Sequence, residues 1–289
     1  MDSLHADERA LITKGRYQPP KHLVGSRNFL QLDRVTVPHG KHNLVNNLSL
    51  TVFDGEVFVL VGENGSGKSA ILNTLAGLQH KVKGSAKAYG YDLFKAYKFL
   101  SDNFLSFCEQ EPVLIDMMTA EQHIEFIGKI MCINNLKATT DRILAQFNLQ
   151  DCADIVAVKL NTIQRKRLMF ALSLLGNTKI VLLDEPTQGM DIASRRLIWS
   201  LIRAEKRNRI MIVSTQNMEE AVAIGDRIGL ISHGSLKMCG PPRFFDHKVS
   251  HSVKLQFTLP ARRATVGRKG GRLESLVNEA ISPAYRDNV

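Results

Sequence analysis

The octapeptide Gly62-Glu63-Asn64-Gly65-Ser66-Gly67-Lys68-Ser69 constrains this chain more than any other feature. It fits G-x-x-x-x-G-K-[ST], the phosphate-binding loop. The flanks agree. VFVLVG before it is a short continuous apolar run, the pattern of a strand buried on both faces. SAILNTLAGL after it, beginning at Ser69-Ala70, starts a helical period. Glycines let backbone N–H groups converge on phosphate oxygens, and the helix N-terminus adds partial positive charge. Lys68 is expected to reach the β- and γ-phosphates of a nucleotide, and the Ser69 hydroxyl to ligate Mg²⁺.

A second motif supplies the missing acids. IVLLDEP is another buried-strand run, and it ends in Asp184 and Glu185. Beside a phosphate loop, the first carboxylate is expected to hold the Mg²⁺ shell. The second is placed to polarise or deprotonate an attacking water. That pairing suits hydrolysis of the terminal phosphate. A kinase would need an acceptor site and no second carboxylate.

Around these motifs the pattern alternates between strands and helices. FLQLDRV alternates apolar and polar residues like a half-buried strand, NNLSLTVFDGE is similar with a turn at Asp54-Gly55, and residues 84–92 look like a further short strand and turn. From about residue 97 to 175 the spacing is mostly helical, as in AEQHIEFIGKIMCI and QRKRLMFALSLL. KIVLLDEP and RIMIVST are buried strands separated by the helical SRRLIWSLIRAEKR, and RIGLISHGSLKMCG reads as a hairpin turning at His233-Gly234. Strand–helix alternation with continuous apolar strands predicts an α/β fold, a mainly parallel sheet covered by helices, with the helical middle inserted. Residues 1–28 read as a polar leader and 249–289 as a basic, poorly patterned tail.

Composition narrows the function classes. With 44% apolar and 23% charged residues in 289, the chain can bury a real core. No apolar run approaches the roughly 20 residues that cross a bilayer. The four cysteines lack paired metal-type spacing and read as reduced thiols. The net charge of +10 admits phosphate ligands, acidic lipid or nucleic acid. Basic density at residues 165–167, 203–209 and 262–272 is not interleaved with aromatic residues, so no nucleic-acid platform is expected.

GENGSGKS followed by LLDEPTQGMD resembles the nucleotide-binding cassette of ATP-binding-cassette (ABC) proteins. DEPTQGMDIASRRLIW, then MEEAVAIGDRIGLISHGSLKMCG, is most similar to subfamily A, which is associated with lipid export or flipping. The resemblance covers about residues 29–248. It implies a RecA-like P-loop NTPase core, an antiparallel β-subdomain and a helical subdomain at about 100–175. ATP and Mg²⁺ would be the ligands. The partners would be a second cassette, paired head to tail, and a transmembrane domain on another chain or on the same longer polypeptide, which places the cassette at the cytoplasmic face of a membrane. Gln110 falls at the Q-loop position, which senses Mg²⁺ and nucleotide. Asp191 falls at the D-loop and also suits an N-cap. His39 falls where the family stacks an aromatic ring on adenine, and it also suits a turn.

Two departures bear on mechanism. The family signature L-S-G-G-Q is replaced within Lys159-Leu160-Asn161-Thr162-Ile163-Gln164, without the serine or either glycine. In the family that loop is a helix N-terminus pressed onto the γ-phosphate held by the opposite cassette, where glycine permits close approach. Gln216 stands where the family has the switch histidine. An amide still donates a hydrogen bond but carries no charge. Losing such a charge-assisted contact slows the reaction by about tenfold to a thousandfold. The expectation is firm MgATP binding with slow or partner-dependent hydrolysis in a transport motor. A degenerate regulatory cassette that binds ATP without productive turnover is a second reading, and a soluble non-transport ABC ATPase a third.

Overall fold

The structure is a computed structural model that describes residues 29–40, 42–79, 81–96, 104–176 and 178–249. The leader at 1–28 and the tail from residue 250 lie outside the described residues. β1 (Phe29–His39) alternates buried with partly buried positions, as expected of a half-buried strand. It pairs antiparallel with β2 (His42–Phe53) and with β4 (Lys83–Ala88). With the two-residue β5 (Tyr91–Asp92) these form a four-stranded antiparallel sheet in the order β2-β1-β4-β5.

The second sheet has six strands in the order β10-β9-β3-β8-β7-β6. β3 (Val57–Val61), β7 (Ile180–Asp184) and β8 (Ile210–Thr215) are buried at every position. This is why they read as unbroken apolar runs rather than as alternating ones. The two faces nevertheless feed different cores. Val57, Val59, Val61, Val181, Leu183, Met211 and Val213 join one apolar cluster. Phe58, Leu60, Ile180, Leu182, Ile210 and Ile212 join the other. The first cluster packs against the helical insertion, where Phe147 meets Phe170 edge to face at 5.4 Å. The second packs against the antiparallel sheet and the helix after the phosphate loop. β9 (Arg227–Ser232) runs parallel to β3, and β10 (Ser235–Gly240) turns back through His233 and Gly234, both at positive φ, as the hairpin signal predicts.

One boundary is corrected. The helical reading of residues 97–175, and the helical subdomain placed from about residue 100, include β6 (Leu105–Cys108), which pairs parallel with β7 at the edge of the large sheet. Four residues are too few to show a strand period, and the pairing partner lies far along the chain. The insertion proper follows, as helices at Ala120–Ile130, Leu136–Gln146 and Thr162–Ser173. The first starts at Thr119 with a reciprocal capping box to Gln122.

The base of the large sheet holds a buried ion pair. Arg227 Nε lies 2.9 Å from Glu56 Oε1, with the two side chains 1% and 0% exposed. The guanidinium also donates to the Thr51 carbonyl and lies over the rings of Phe53 and Phe58. Removing one partner strands a buried charge, whereas removing both does not. Arg227→Met is expected to destabilise the fold by about 3–5 kcal/mol, and Arg227→Met with Glu56→Leu to recover much of it, read from urea midpoints.

Candidate active site

The phosphate loop leaves β3 and enters α1 (Lys68–Leu75). Two of its glycines are required by geometry. Gly67 has φ +105°, and a Cβ there would lie 2.5 Å from the Leu44 carbonyl oxygen. At Gly62 a Cβ would lie 2.4 Å from the Ile231 carbonyl oxygen. The β9–β10 turn is tied to the loop by Gly234 N–H, which donates to the Ser66 carbonyl at 2.8 Å. Lys68 is 5% exposed. Its ammonium donates to the carbonyls of Gly62 at 2.8 Å and Glu63 at 3.0 Å and stands 3.7 Å from Glu185 Oε1.

The carboxylates sit at the end of β7, where Asp184 pairs with Ser214 of β8. The Ser214 hydroxyl donates to Asp184 Oδ1, and the Glu185 N–H donates to the Ser214 carbonyl and hydroxyl oxygens at 3.2 and 3.0 Å. Glu185 has φ +47°, a left-handed conformation that is costly for a residue with a side chain and persists only where the surroundings hold it. Burial pushes its carboxyl above the ordinary value, against the opposing pull of Lys68 and of the Gln216 side-chain and backbone N–H groups. Glu185 Oε1 is buried without a hydrogen bond, as is the Ser66 hydroxyl.

A cleft of about 260 Å³ brings the pieces together. Asn64, Gly65, Ser66, Gly67, Lys68, Ser69, Ala70, Gln110, Glu185 and Gln216 line it, all named from the sequence. Gly62 and Glu63 contribute through the carbonyls that hold Lys68, and Asp184 lies buried under Ser214. The Gln216 amide donates to Asn64 Oδ1 at 2.6 Å, and the Gln110 amide to Gln188 Oε1 at 2.7 Å. The donor set fits the expected ligands. Backbone N–H groups at a helix start and a buried ammonium suit a polyphosphate, and the Ser69 hydroxyl, the Gln110 amide oxygen and the Asp184 carboxylate are hard oxygen donors of the kind Mg²⁺ takes.

His39 lies on the hairpin whose second strand borders the loop, where His42 and Leu44 share a hollow with Gly65. It is exposed at the end of the β1–β2 hairpin and paired with His42, and it is not among the residues that line the phosphate-loop cleft. Leu44, Asn73 and Gln79 line the cleft instead, with no motif to mark them. Ser214 was equally unmarked, hidden in an apolar strand run. Asp191 caps the helix Ile192–Glu205, accepting from the Ser194 N–H at 2.9 Å and the Ser194 hydroxyl at 2.6 Å. These bonds hold its carboxyl below the usual range. At the signature position, Asn161 caps Thr162–Ser173. Its side chain accepts from the Gln164 N–H at 2.9 Å, while the Gln164 side chain accepts from the Asn161 N–H at 3.0 Å. The exposed helix start is therefore kept, with both side chains turned onto their own backbone.

Residues 45–188 match the ABC transporter family. ATP-binding cassette sub-family A member 2 of Rattus norvegicus is 33% identical over 271 residues, 92% of this chain and 11% of the relative. Cholesterol transporter ABCA5 of Homo sapiens is 34% identical over 248 residues, 83% of this chain and 14% of the relative. Phospholipid-transporting ATPase ABCA3 of Mus musculus is 30% identical over 244 residues, again 83% and 14%. The chain thus spans 11–14% of the length of these curated relatives. Among solved structures, the ATP-binding subunit of an ABC transporter superposes with TM-score 0.69 at 19% identity, covering 77% of this chain and 93% of that one. A dimeric ATP-binding cassette in a post-hydrolysis state, bound to ADP and Pi, superposes with TM-score 0.65 at 23% identity, covering 74% and 99%. At those identities the superpositions establish the shared P-loop NTPase fold, and the motifs and sequence relatives carry the rest: the chain is an ATP-binding cassette and belongs to the ABC transporter family.

Proposed function

We propose that this cassette binds MgATP and, paired head to tail with a second cassette, hydrolyses it slowly to drive transport through membrane-spanning segments. Among the described residues no helix is long and apolar enough to cross a membrane. In this reading the transmembrane part lies on a partner chain or elsewhere in a longer polypeptide, and the cassette works at the cytoplasmic face. A lipid cargo is the reading supported by relatives named as cholesterol and phospholipid transporters.

The observation that carries the proposal is the meeting of Lys68, Glu185 and Gln216 in one cleft at the mouth of the phosphate loop. Lys68 and the loop N–H groups hold the β- and γ-phosphates. Ser69, Gln110 and Asp184 would hold Mg²⁺, whose charge neutralises the phosphate oxygens when it is bound. Glu185, with its carboxyl raised by burial, accepts a proton from the attacking water. Gln216 donates a neutral hydrogen bond where a charged donor would act more strongly. The capped Asn161 helix end would face a γ-phosphate held by the partner cassette, with a weaker grip than a glycine-rich loop gives.

The second reading, an ATP-binding regulatory cassette with little turnover, is favoured by the same Gln216 and by the self-satisfied Asn161–Gln164 box. Turnover separates the two. Gln216→His is expected to raise ATP hydrolysis about tenfold or more, and Glu185→Gln to abolish it, measured as phosphate release. An unchanged rate in Gln216→His would favour the regulatory reading. A high rate for the native chain alone, abolished by Glu185→Gln, would refute slow turnover.

The pH dependence follows from the direction of the Glu185 shift. A general base works ionised, so turnover falls as pH drops through its raised pKa. The acid limb of the pH–rate profile is expected above the range of a free carboxylate. A limb at ordinary carboxylate pH would contradict the role given to Glu185.

A further inference from the structure

Glu220 is buried, 3% exposed, and the chemistry described so far does not use it. It lies on the helix Met218–Ile224, just beyond the switch position. Oε1 accepts from the Thr187 hydroxyl at 2.6 Å and the Trp199 indole N–H at 3.0 Å. Oε2 accepts from the Thr215 hydroxyl at 2.6 Å. Among the described residues it has no ion-pair partner, so neutral donors alone stabilise a buried carboxyl group. Such a group is expensive to bury unless its bonds are made, and it holds those donors in fixed places.

The donors are spaced around the active site. Thr187 follows Glu185-Pro186 on the loop that carries the strained general base. Thr215 immediately precedes Gln216, and its hydroxyl oxygen also accepts from the Asn217 N–H at 3.0 Å. Asn217 in turn caps the helix that carries Glu220. Gln216 is therefore bracketed by two residues tied to this small network. Trp199 is the only tryptophan in the sequence and sits half-buried on the helix Ile192–Glu205.

We propose that Glu220 is a positioning residue: it fastens the Glu185 loop and the Gln216 turn to each other, and through Trp199 it links their arrangement to the helix that follows Asp191. The proposal rests on the roles given above to Glu185 and Gln216. When MgATP engages those residues, the change reaches Trp199 through the shared carboxylate.

The test uses the full chain and two independent readouts: MgATP affinity by equilibrium dialysis and Trp199 emission during the same titration. In the native chain, saturating MgATP is expected to change Trp199 emission. In Glu220→Ala, affinity is expected to stay within about threefold while the emission change is lost and phosphate release falls about tenfold to a hundredfold. Glu220→Gln, which keeps one acceptor and the side-chain shape, is expected to restore part of both. Thr187→Val and Thr215→Val each remove a single donor at nearly constant volume, and they keep the test alive should Glu220→Ala fail to fold. Each is expected to lower phosphate release severalfold with unchanged affinity. Bound MgATP with unmoved Trp199 emission in the native chain overturns the proposal, as do native emission change and phosphate release in the folded variants. Absence of MgATP binding in the native chain would instead overturn the functional reading beneath it.

Discussion

Parallel pairing of β3, β7 and β8 is the constraint on which the rest depends. Val61 sits beside Thr215, and Asp184 beside Ser214, so three carboxyl ends open at one edge of the sheet. The residues of the proposed chemistry leave from those ends, the phosphate loop from β3, Asp184 and Glu185 from β7 and Gln216 from β8, with Gln110 just beyond the neighbouring β6. Ligands gather at the carboxyl edge of such sheets because the loops there are free to vary while the strands are not. Complete burial of the three strands keeps that edge rigid. Alternate side chains lock into two different cores, and a one-residue slip in register would exchange them.

The site holds opposing demands in balance. Glu185 is buried and its proton affinity raised, but Lys68 lies 3.7 Å away and draws it back toward the ionised form. Its left-handed backbone is held by two hydrogen bonds to Ser214, the residue whose hydroxyl also orients Asp184. One serine thus ties together the two acids proposed for the metal and for the water.

Legibility in the sequence followed the range of the determining interaction. The phosphate loop was plain because its glycines answer local demands: Gly67 needs a positive φ and Gly62 a close backbone approach. β3, β7 and β8 were plain because burial on both faces leaves an apolar run. β6 was not, since its four residues become a strand only through pairing with β7. His39 sits at the position that resemblance assigns to base stacking and is exposed on its hairpin, while Leu44, which no motif marks, lines the cleft. Ser214, Thr187 and Glu220 matter through contacts made across the fold, which no local spacing encodes. The role of Asn161 was half visible. Its identity breaks the family signature, and only the structure shows that it still starts the helix, with its side chain spent on Gln164.

The central claim is that a backbone loop and one buried ammonium grip a triphosphate through magnesium. Calorimetric titration of ATP into the native chain and into Lys68→Ala, each with Mg²⁺ and with a chelator, tests it most directly. The account predicts saturable, magnesium-dependent binding by the native chain, weakened about tenfold or more when the ammonium is removed. Equal affinity in both proteins, or binding indifferent to magnesium, would contradict it.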